Sequence, residues 1–563
     1  MMMEQYRNLD ITELPLSSAY FREKVSRFLE ASGLRLDALD AYYAVQNPAG
    51  DILAGAGISG DIIKCVAVAE EARSEGLLTP LVSRIIQDAS LHGIHNLKVF
   101  TKPQYRALFE SLGFRMLAQA PLAVLLESGR GLAAYCEYLR SMRRPGRSGV
   151  VVMNANPFTL GHRYLLSKAL EQVDTLYVIP VKEDVSMFPY AERKAMIEAA
   201  GLGDRVVVPE GSSYTISAAT FPTYFLKDLS AASEEQMRLD LDLFANHIVP
   251  ALGAAVRFVG SEPSDSLTAR YNTLMKELLP VKVVENERLK IQGGYVSASK
   301  VREYLKSGIY EKASAQVPET SRPYLLAELA ERALRMELET PLKPGLVCPE
   351  SAGAHKDMDY SVMLKGIAAI RPFFAPMVSA PNADDLRRLG IEAEEAMLAA
   401  TGGVNTHRGA IYSFGLVLNA VALEMQGVDK QAFIQNACSK NAESILNNTL
   451  KDSKMHFTGT RGAREIAFTG YRQLFEDWLP FFRKERNIGR LLIYIISSLD
   501  DTCIIHRAGE KRALEVRREA EQLLNNYTED NLRRMCERFR EENISPGGAA
   551  DMLALTIFID SVI

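Results

Sequence analysis

The hydrophobic pattern changes its period twice along the chain. Residues 1–140 mix the two rhythms: Asp61–Val68 reads as a strand, Leu77–His92 repeats apolar residues at helical spacing, and Leu97–Phe100 reads as a second strand. From Gly149 to about Tyr310, apolar runs at Val150–Met153, Leu176–Val181, Val206–Val208, Val256–Val259 and Val281–Val284 alternate with helical stretches. Short strands separated by helices are the mark of a parallel sheet covered by helices. Beyond Pro323 the strand-like runs stop. Long amphipathic runs at Tyr324–Glu339, Asp384–Ala400, Gln431–Leu450, Lys511–Asn525 and Asn531–Glu542 predict an all-helical region. The expected organisation is therefore multidomain: α+β over 1–140, α/β with a parallel sheet over 148–315, and all-α over 323–563. The basic, turn-rich stretch Arg140–Arg147 reads as a solvated linker between the first two.

Composition narrows the function classes without choosing among them. The chain is 47% hydrophobic and 24% charged, ordinary for a globular protein. A net charge of −5 excludes a general nucleic-acid binder that relies on excess positive charge. The apolar runs Leu491–Ile496 and Met552–Ile559 are too short to span a bilayer, and Met1–Arg7 lacks the apolar core of a signal peptide. Six cysteines at 65, 136, 348, 438, 503 and 536 include no C-x-x-C pair and fit reduced thiols. A cytoplasmic protein with neither membrane nor nucleic-acid partner is expected.

Candidate chemistry gathers first at the two ends of the α/β region. The strand Gly149–Met153 runs into Asn154-Ala155-Asn156-Pro157-Phe158-Thr159-Leu160-Gly161-His162, after which a helix begins. A strand, loop and helix start in succession aim unpaired backbone N–H groups and the positive helix end at one point. Gly161 allows close approach of a phosphate, and Thr159 and His162 add two donors. No Walker-type loop is present, which argues against a kinase of that class. At the far end, Val296-Ser297-Ala298-Ser299-Lys300-Val301-Arg302 places two hydroxyls at a helix start and a guanidinium one turn in, a second anion cradle.

This pairing resembles the T-x-G-H nucleotidylyltransferase superfamily, which implies a Rossmann-like fold. More narrowly, Asn154–His162, Lys182-Glu183-Asp184 with Phe188 and Arg193, Gly260-Ser261-Glu262-Pro263, Tyr271-Asn272 and Ser297–Arg302 resemble citrate lyase ligase. The resemblance implies acetylation of the prosthetic thiol on the citrate lyase acyl-carrier subunit, from ATP and acetate through acetyl-AMP, with Mg²⁺ assisting. It assigns His162 to the α/β-phosphates and Arg302 to the β/γ-phosphates. Asn156, Thr159, Gly161, Arg193, Ser297 and Ser299 are expected to complete the nucleotide site.

In the first region, Gly55-Ala56-Gly57-Ile58-Ser59-Gly60 matches G-x-G-x-x-G but precedes a strand, so it reads as a hairpin turn and not a dinucleotide loop. Val66–Val68 followed by Arg73-Ser74-Glu75-Gly76-Leu77-Leu78, with Phe109-Glu110-Ser111-Leu112-Gly113-Phe114 later, resembles the GNAT acetyltransferases. Leu78 replaces the small residue usual in that family's pyrophosphate loop, so the resemblance implies the fold more than the catalysis.

Polar clusters interrupt the helical region at Pro341–Val347, Gly353–Asp359, Gly403–Ala410, Gly462–Glu465, Asp500–Arg507 and Ser545–Asp551. Asp357 with Asp359, and Asp500 with Asp501, are carboxylate pairs suited to Mg²⁺. Lys343, Lys356, Arg464 and Arg507 are the cations expected to hold phosphate, and His355 or His407 the group that moves a proton. The clusters resemble triphosphoribosyl-dephospho-CoA synthase, which implies joining ATP to dephospho-CoA with release of adenine. Cys348 stands where that family typically has Asp, and Ser351-Ala352 replace a more usual Asn pair. Two other readings use the same residues: an adenylyltransferase with another acceptor, and a helical region reduced to docking.

Overall fold

The computed structural model describes residues 10–182, 186–215, 232–261, 266–291, 294–422, 429–452 and 463–563, and for 447–452 and 463–464 the backbone alone. They form two compact units: Met1–Ala155 with Gly161–Ser186 and Gly201–Tyr295, and Asn156–Leu160 with Met187–Ala200 and Val296–Ile563.

The first unit holds two large sheets and a small antiparallel pair, Lys290–Ile291 with Gly294–Tyr295. Strands β1 (Ile11–Leu14), β2 (Ala41–Gln46), β3 (Ile52–Ser59), β4 (Ile62–Val68), β5 (Lys98–Thr101), β6 (Arg115–Gln119) and β7 (Val124–Glu127) form a mixed sheet in the order β1-β2-β3-β4-β5-β7-β6. Only β4 and β5 are parallel, and they pair at one end alone, Ile62 with Lys98 and Ile63 with Val99. The crossover between them carries the helix Leu78–Leu91, which buries Leu81, Val82, Ile85 and Ala89 along one stripe. The glycine run Gly55–Gly60 is not a turn over its length: residues up to Ser59 belong to β3, and the reversal is confined to Gly60 and Asp61. Gly55 and Gly57 are in the strand because Tyr42 and Leu39 occupy the space a Cβ would need.

The second sheet comprises β8 (Ser148–Met153), β9 (Thr175–Pro180), β10 (Val206–Val207), β11 (Val256–Gly260) and β12 (Lys282–Asn286), in the order β10-β9-β8-β11-β12. All its pairs are parallel, as the apolar runs predicted. The order reverses between β8 and β11, the place where open parallel sheets bind ligands beyond their carboxyl ends.

One continuous core serves both sheets, from Leu14, Val25 and Phe100 through Tyr177 to Leu243 and Met275. Polar contacts reinforce it: Lys98 Nζ reaches Asp61 and the Ser213 hydroxyl, both at 2.7 Å, and Tyr135 donates to the Glu210 carbonyl at 2.9 Å. Residues 143–147 are exposed, and hydrogen bonds fasten the stretch to the fold. Arg143 Nε donates to the Ala251 carbonyl at 2.9 Å, where its charge satisfies the end of the short helix Val249–Leu252. The Arg144 and Arg147 amides donate to the Tyr177 hydroxyl at 3.0 Å and to Asp174 at 2.7 Å.

In the second unit, the described residues beyond Pro323 form no strand, only an isolated bridge between Cys348 and Ser351. The amphipathic runs become the helices Arg322–Glu339, Ala383–Ala400, Lys430–Asp452, Thr502–Asn525 and Glu529–Glu541, with a break at Gly509 (φ 84°). Three further helices, Tyr360–Val378, Arg408–Ala422 and Gly547–Val562, had escaped the amphipathic pattern because they are apolar on most sides. Tyr360–Val378, at 19 residues, is long and apolar enough to cross a membrane by length and composition. It packs instead against Arg322–Glu339 and Ala383–Ala400, and its Arg371 pairs with Glu192, Glu328 and Glu331.

Candidate functional sites

The central motif is divided between the two units. In the first, β8 ends at Met153, Ala155 turns the chain with φ 50°, and Gly161 and His162 lie in the first turn of the helix Leu160–Leu170. Enclosure of the half-buried His162 ring, and then the nearby Arg288 guanidinium, push its pKa down to about 4. The ring is therefore neutral at pH 7, able to donate one N–H without carrying charge.

In the second unit, Asn156 is held from two sides. Its carbonyl accepts from Arg302 Nη1 at 2.5 Å, and its Oδ1 accepts from the Phe188 amide at 3.2 Å. Arg302 Nη2 donates to Ser299 Oγ at 3.1 Å, so the guanidinium bridges the loop to the start of the helix Ala298–Lys306. Burial lowers the Arg302 pKa. Ser297 is the N-cap residue of that helix, and its amide donates to Gln316 Oε1 at 3.1 Å. The Leu160 amide donates to the Gln316 carbonyl at 2.9 Å. One residue thus ties both cradle elements together, and nothing in its sequence surroundings marks it. Thr159 is buried, at 2% exposure. Arg193 is wholly enclosed and donates from Nε to the Phe188 carbonyl at 3.0 Å, bracing the residue whose amide holds Asn156. Glu183, Asp184, Glu262, Pro263 and Gly293 lie outside the described residues.

The helical region encloses a cavity of about 660 Å³. Asp500, Asp501, Asp551, Asn405 and Arg408 line it, with Arg387 and Glu394 on the helix Ala383–Ala400. Asp501 is 3% exposed and accepts from the Cys503 and Ala549 amides, each at 2.8 Å, so it caps Thr502–Asn525 and reaches the first turn of Gly547–Val562. Burial raises its pKa against those amides. Burial, then Glu337 and Asp501, raise Asp551 well above the carboxylate range. A Cβ at Gly409 or Gly548 would press on Asp551 or Asp501, so the glycines let two buried carboxyl groups share one wall. Asp500 instead pairs with Arg517 at 2.7 Å.

The remaining expected residues fall elsewhere. His355 contacts Ser545 Oγ at 2.8 Å through Nε2 and Arg507 at 3.3 Å through Nδ1. Burial and then Arg507 lower its pKa, opposed by Asp357. His407 is buried, touches Thr406 Oγ1 at 2.8 Å, and is pushed to about 4 by burial and then Lys343, which itself pairs with Glu337. Lys356 and Asp357 are exposed, and Asp359 caps the helix Tyr360–Val378 by accepting from the Val362 amide. None of these lines the cavity. The four aspartates expected to hold Mg²⁺ are not gathered: among the described residues no three His, Cys, Asp or Glu side chains form a metal cluster. Asp357 is exposed, Asp359 caps a helix, Asp500 pairs with Arg517 and Asp501 accepts from two amides. Gly462 and the Arg464 side chain lie outside the described residues.

A parallel sheet opening onto a strand–loop–helix motif, a guanidinium-braced helix start and a separate acid-lined cavity among helices define a multidomain nucleotide-handling enzyme. Family models match in two blocks, "Citrate lyase ligase C-terminal domain" over residues 148–325 and "ATP:dephospho-CoA triphosphoribosyl transferase" over residues 323–563. A [citrate [pro-3S]-lyase] ligase of Klebsiella pneumoniae is 42% identical over 322 residues, covering 55% of this chain and 94% of that protein. An Azotobacter vinelandii protein named "probable 2-(5''-triphosphoribosyl)-3'-dephosphocoenzyme-A synthase" is 36% identical over 277 residues, 44% of this chain and 94% of its own length. Among solved structures, an acyl-CoA N-acyltransferase from Pseudomonas aeruginosa is 16% identical with a TM-score of 0.19, covering 21% of this chain and 99% of its own. The chain belongs to the citrate lyase ligase family and, in its last block, to the triphosphoribosyl-dephospho-CoA synthase family.

Proposed function

We propose that the chain is a bifunctional enzyme of citrate lyase activation, with a ligase spanning 148–315, a synthase spanning 323–563 and a GNAT-like fold over 1–140. In the ligase reaction, acetate attacks the α-phosphorus of ATP and pyrophosphate leaves. The thiol of the lyase acyl-carrier subunit then takes the acetyl group from acetyl-AMP and AMP departs. The protein's part is positioning and stabilisation of charge on the phosphate oxygens. Neutral His162 serves the α/β-phosphates as a donor, and Arg302 serves the β/γ-phosphates with Ser297, Ser299, Thr159, Asn156 and Gly161. Arg193 and Gln316 act through these groups as positioning residues. The observation that carries this reading is the Arg302 bridge between Asn156 and Ser299, a guanidinium fixed across a loop and a helix start. The β10-β9-β8-β11-β12 parallel order supports the Rossmann-like assignment.

In the synthase reaction, the 2'-hydroxyl of dephospho-CoA displaces adenine from C1' of ATP and the triphosphate stays on the ribose. The acid-lined cavity is the favoured place for this step. Asp551, whose surroundings favour its protonated form, is suited to handling the proton that moves between the hydroxyl and the leaving base. The acidic wall fits a divalent cation, since Mg²⁺ binds through one or two carboxylates and substrate phosphates. Asp500 and Asp501 of the cavity wall would hold it, and it would neutralise the polyanions. Arg408 and Arg387 are placed to receive phosphate. His355 with Arg507, and His407 with Lys343, form separate clusters that brace the walls. A cytoplasmic location agrees with these substrates. Incubation with ATP and acetate, with pyrophosphate release as the readout, tests the ligase; loss of acetate dependence would refute it.

A further inference from the structure

A second cavity, of about 280 Å³, lies in the first unit against one face of the parallel sheet. Val152, Met153 and Asn154 at the end of β8, and Ile179 and Val181 at the end of β9, form one wall. It therefore opens toward the carboxyl edge where such sheets bind substrate. Among the described residues its lining includes one cation. Arg257, the second residue of β11, is 5% exposed, and its Nη1 has no hydrogen-bond partner among the described residues. The guanidinium lies 5.0 Å from the Phe244 ring centroid. Asp240 and Tyr271 face it and favour its charge, but Tyr271 spends its hydroxyl on Asp240 and neither group satisfies Nη1.

A buried guanidinium with an open N–H is costly, because both charge and donor have left water without full replacement. Arg257 lines the cavity, so a buried, incompletely satisfied guanidinium borders the space at the carboxyl end of β8 and β9. We propose that this cavity is the carboxylate subsite of the ligase reaction and that Arg257 anchors acetate there, an inference that rests on the ligase reading. Planar guanidinium matches a carboxylate through paired N–H donors. A carboxylate oxygen uses its remaining lone pair to form the new bond to the α-phosphorus as the bond from that phosphorus to pyrophosphate breaks. No proton is exchanged in that step.

The test compares full-length wild type with Arg257→Met and Arg257→Lys. Arg257→Met is expected to raise the acetate KM by about 10- to 100-fold, the scale for a hydrogen bond to a charged group, with the ATP KM unchanged. Acetate is expected to raise the unfolding temperature of wild type and not that of the Met variant; Arg257→Lys should fall between. An unchanged acetate KM in Arg257→Met, or equal acetate stabilisation of both proteins, would overturn the assignment. If Arg257→Met fails to fold, Arg257→Lys decides on the same two readouts. If wild type shows no acetate-dependent pyrophosphate release, the ligase reading fails, and the acetate-induced thermal shift still judges the subsite.

Discussion

A histidine whose ordinary pKa is near 6.5 is held at about 4 at position 162 by enclosure and by Arg288. The folded value lies below the unfolded one, so the fold favours the neutral ring. That contribution to stability is complete above about 6.5 and is lost as pH falls through 4. ATP brings negative charge, and contact with it should raise the pKa of this ring. NMR titration of the His162 imidazole with and without ATP measures this, and an unmoved pKa would mean that the ring does not meet the phosphates. His162→Ala should lower acetate-dependent pyrophosphate release by about 10²–10³-fold, the scale for losing one transition-state donor. In the helical region the informative carboxyl is Asp551. Asp501→Asn would set an amide –NH₂ against one of two donating backbone amides, costing about 1–3 kcal/mol and mixing stability with chemistry. Asp551→Asn preserves shape at a carboxyl whose surroundings disfavour its charge, so adenine release should fall by at least about 10²-fold while the unfolding curve stays put. Normal adenine release from that variant would remove Asp551 from the reaction. Asp501 was visible in the sequence as a polar pair in an apolar run. Asp551 was visible only as part of a closing cluster, since its neighbours Gly409 and Glu337 are distant along the chain.

Elements were legible where their cause is local. The five parallel strands and the Asn154–His162 loop follow from apolar runs and a strand–loop–helix order that a short window contains. Helices apolar on most sides, such as Gly547–Val562, carry no polar face and so no period to read. Contacts set by tertiary folding were invisible: Gln316 on Leu160 and Ser297, Arg257 against its cavity, Arg143 on the Ala251 carbonyl. The same long-range packing changes what truncation can test. The GNAT resemblance invites truncation after residue 125, but Leu14, Val25, Leu29 and Phe100 belong to the core that also holds Tyr177 and Met275. Removing residues 1–125 is therefore expected to abolish both half-reactions of the ligase through unfolding of the parallel-sheet region, with circular dichroism reporting lost structure. A truncated chain that folds and makes acetyl-AMP would show that the shared core is dispensable.

At the scale of the whole molecule, two family blocks meet near residue 323, and each has its own anion-handling chemistry. Their products concern the same prosthetic group, one its precursor and the other its finished thiol. His162→Ala should spare adenine release, and Asp551→Asn should spare acetate-dependent pyrophosphate release. The measurement that tests the bifunctional account most directly is incubation of the full chain with ATP, Mg²⁺ and dephospho-CoA, followed by chromatography for free adenine. The account predicts adenine in equal amount to a triphosphoribosylated dephospho-CoA, dependent on both substrates. No adenine from a folded chain whose ligase is active would contradict it.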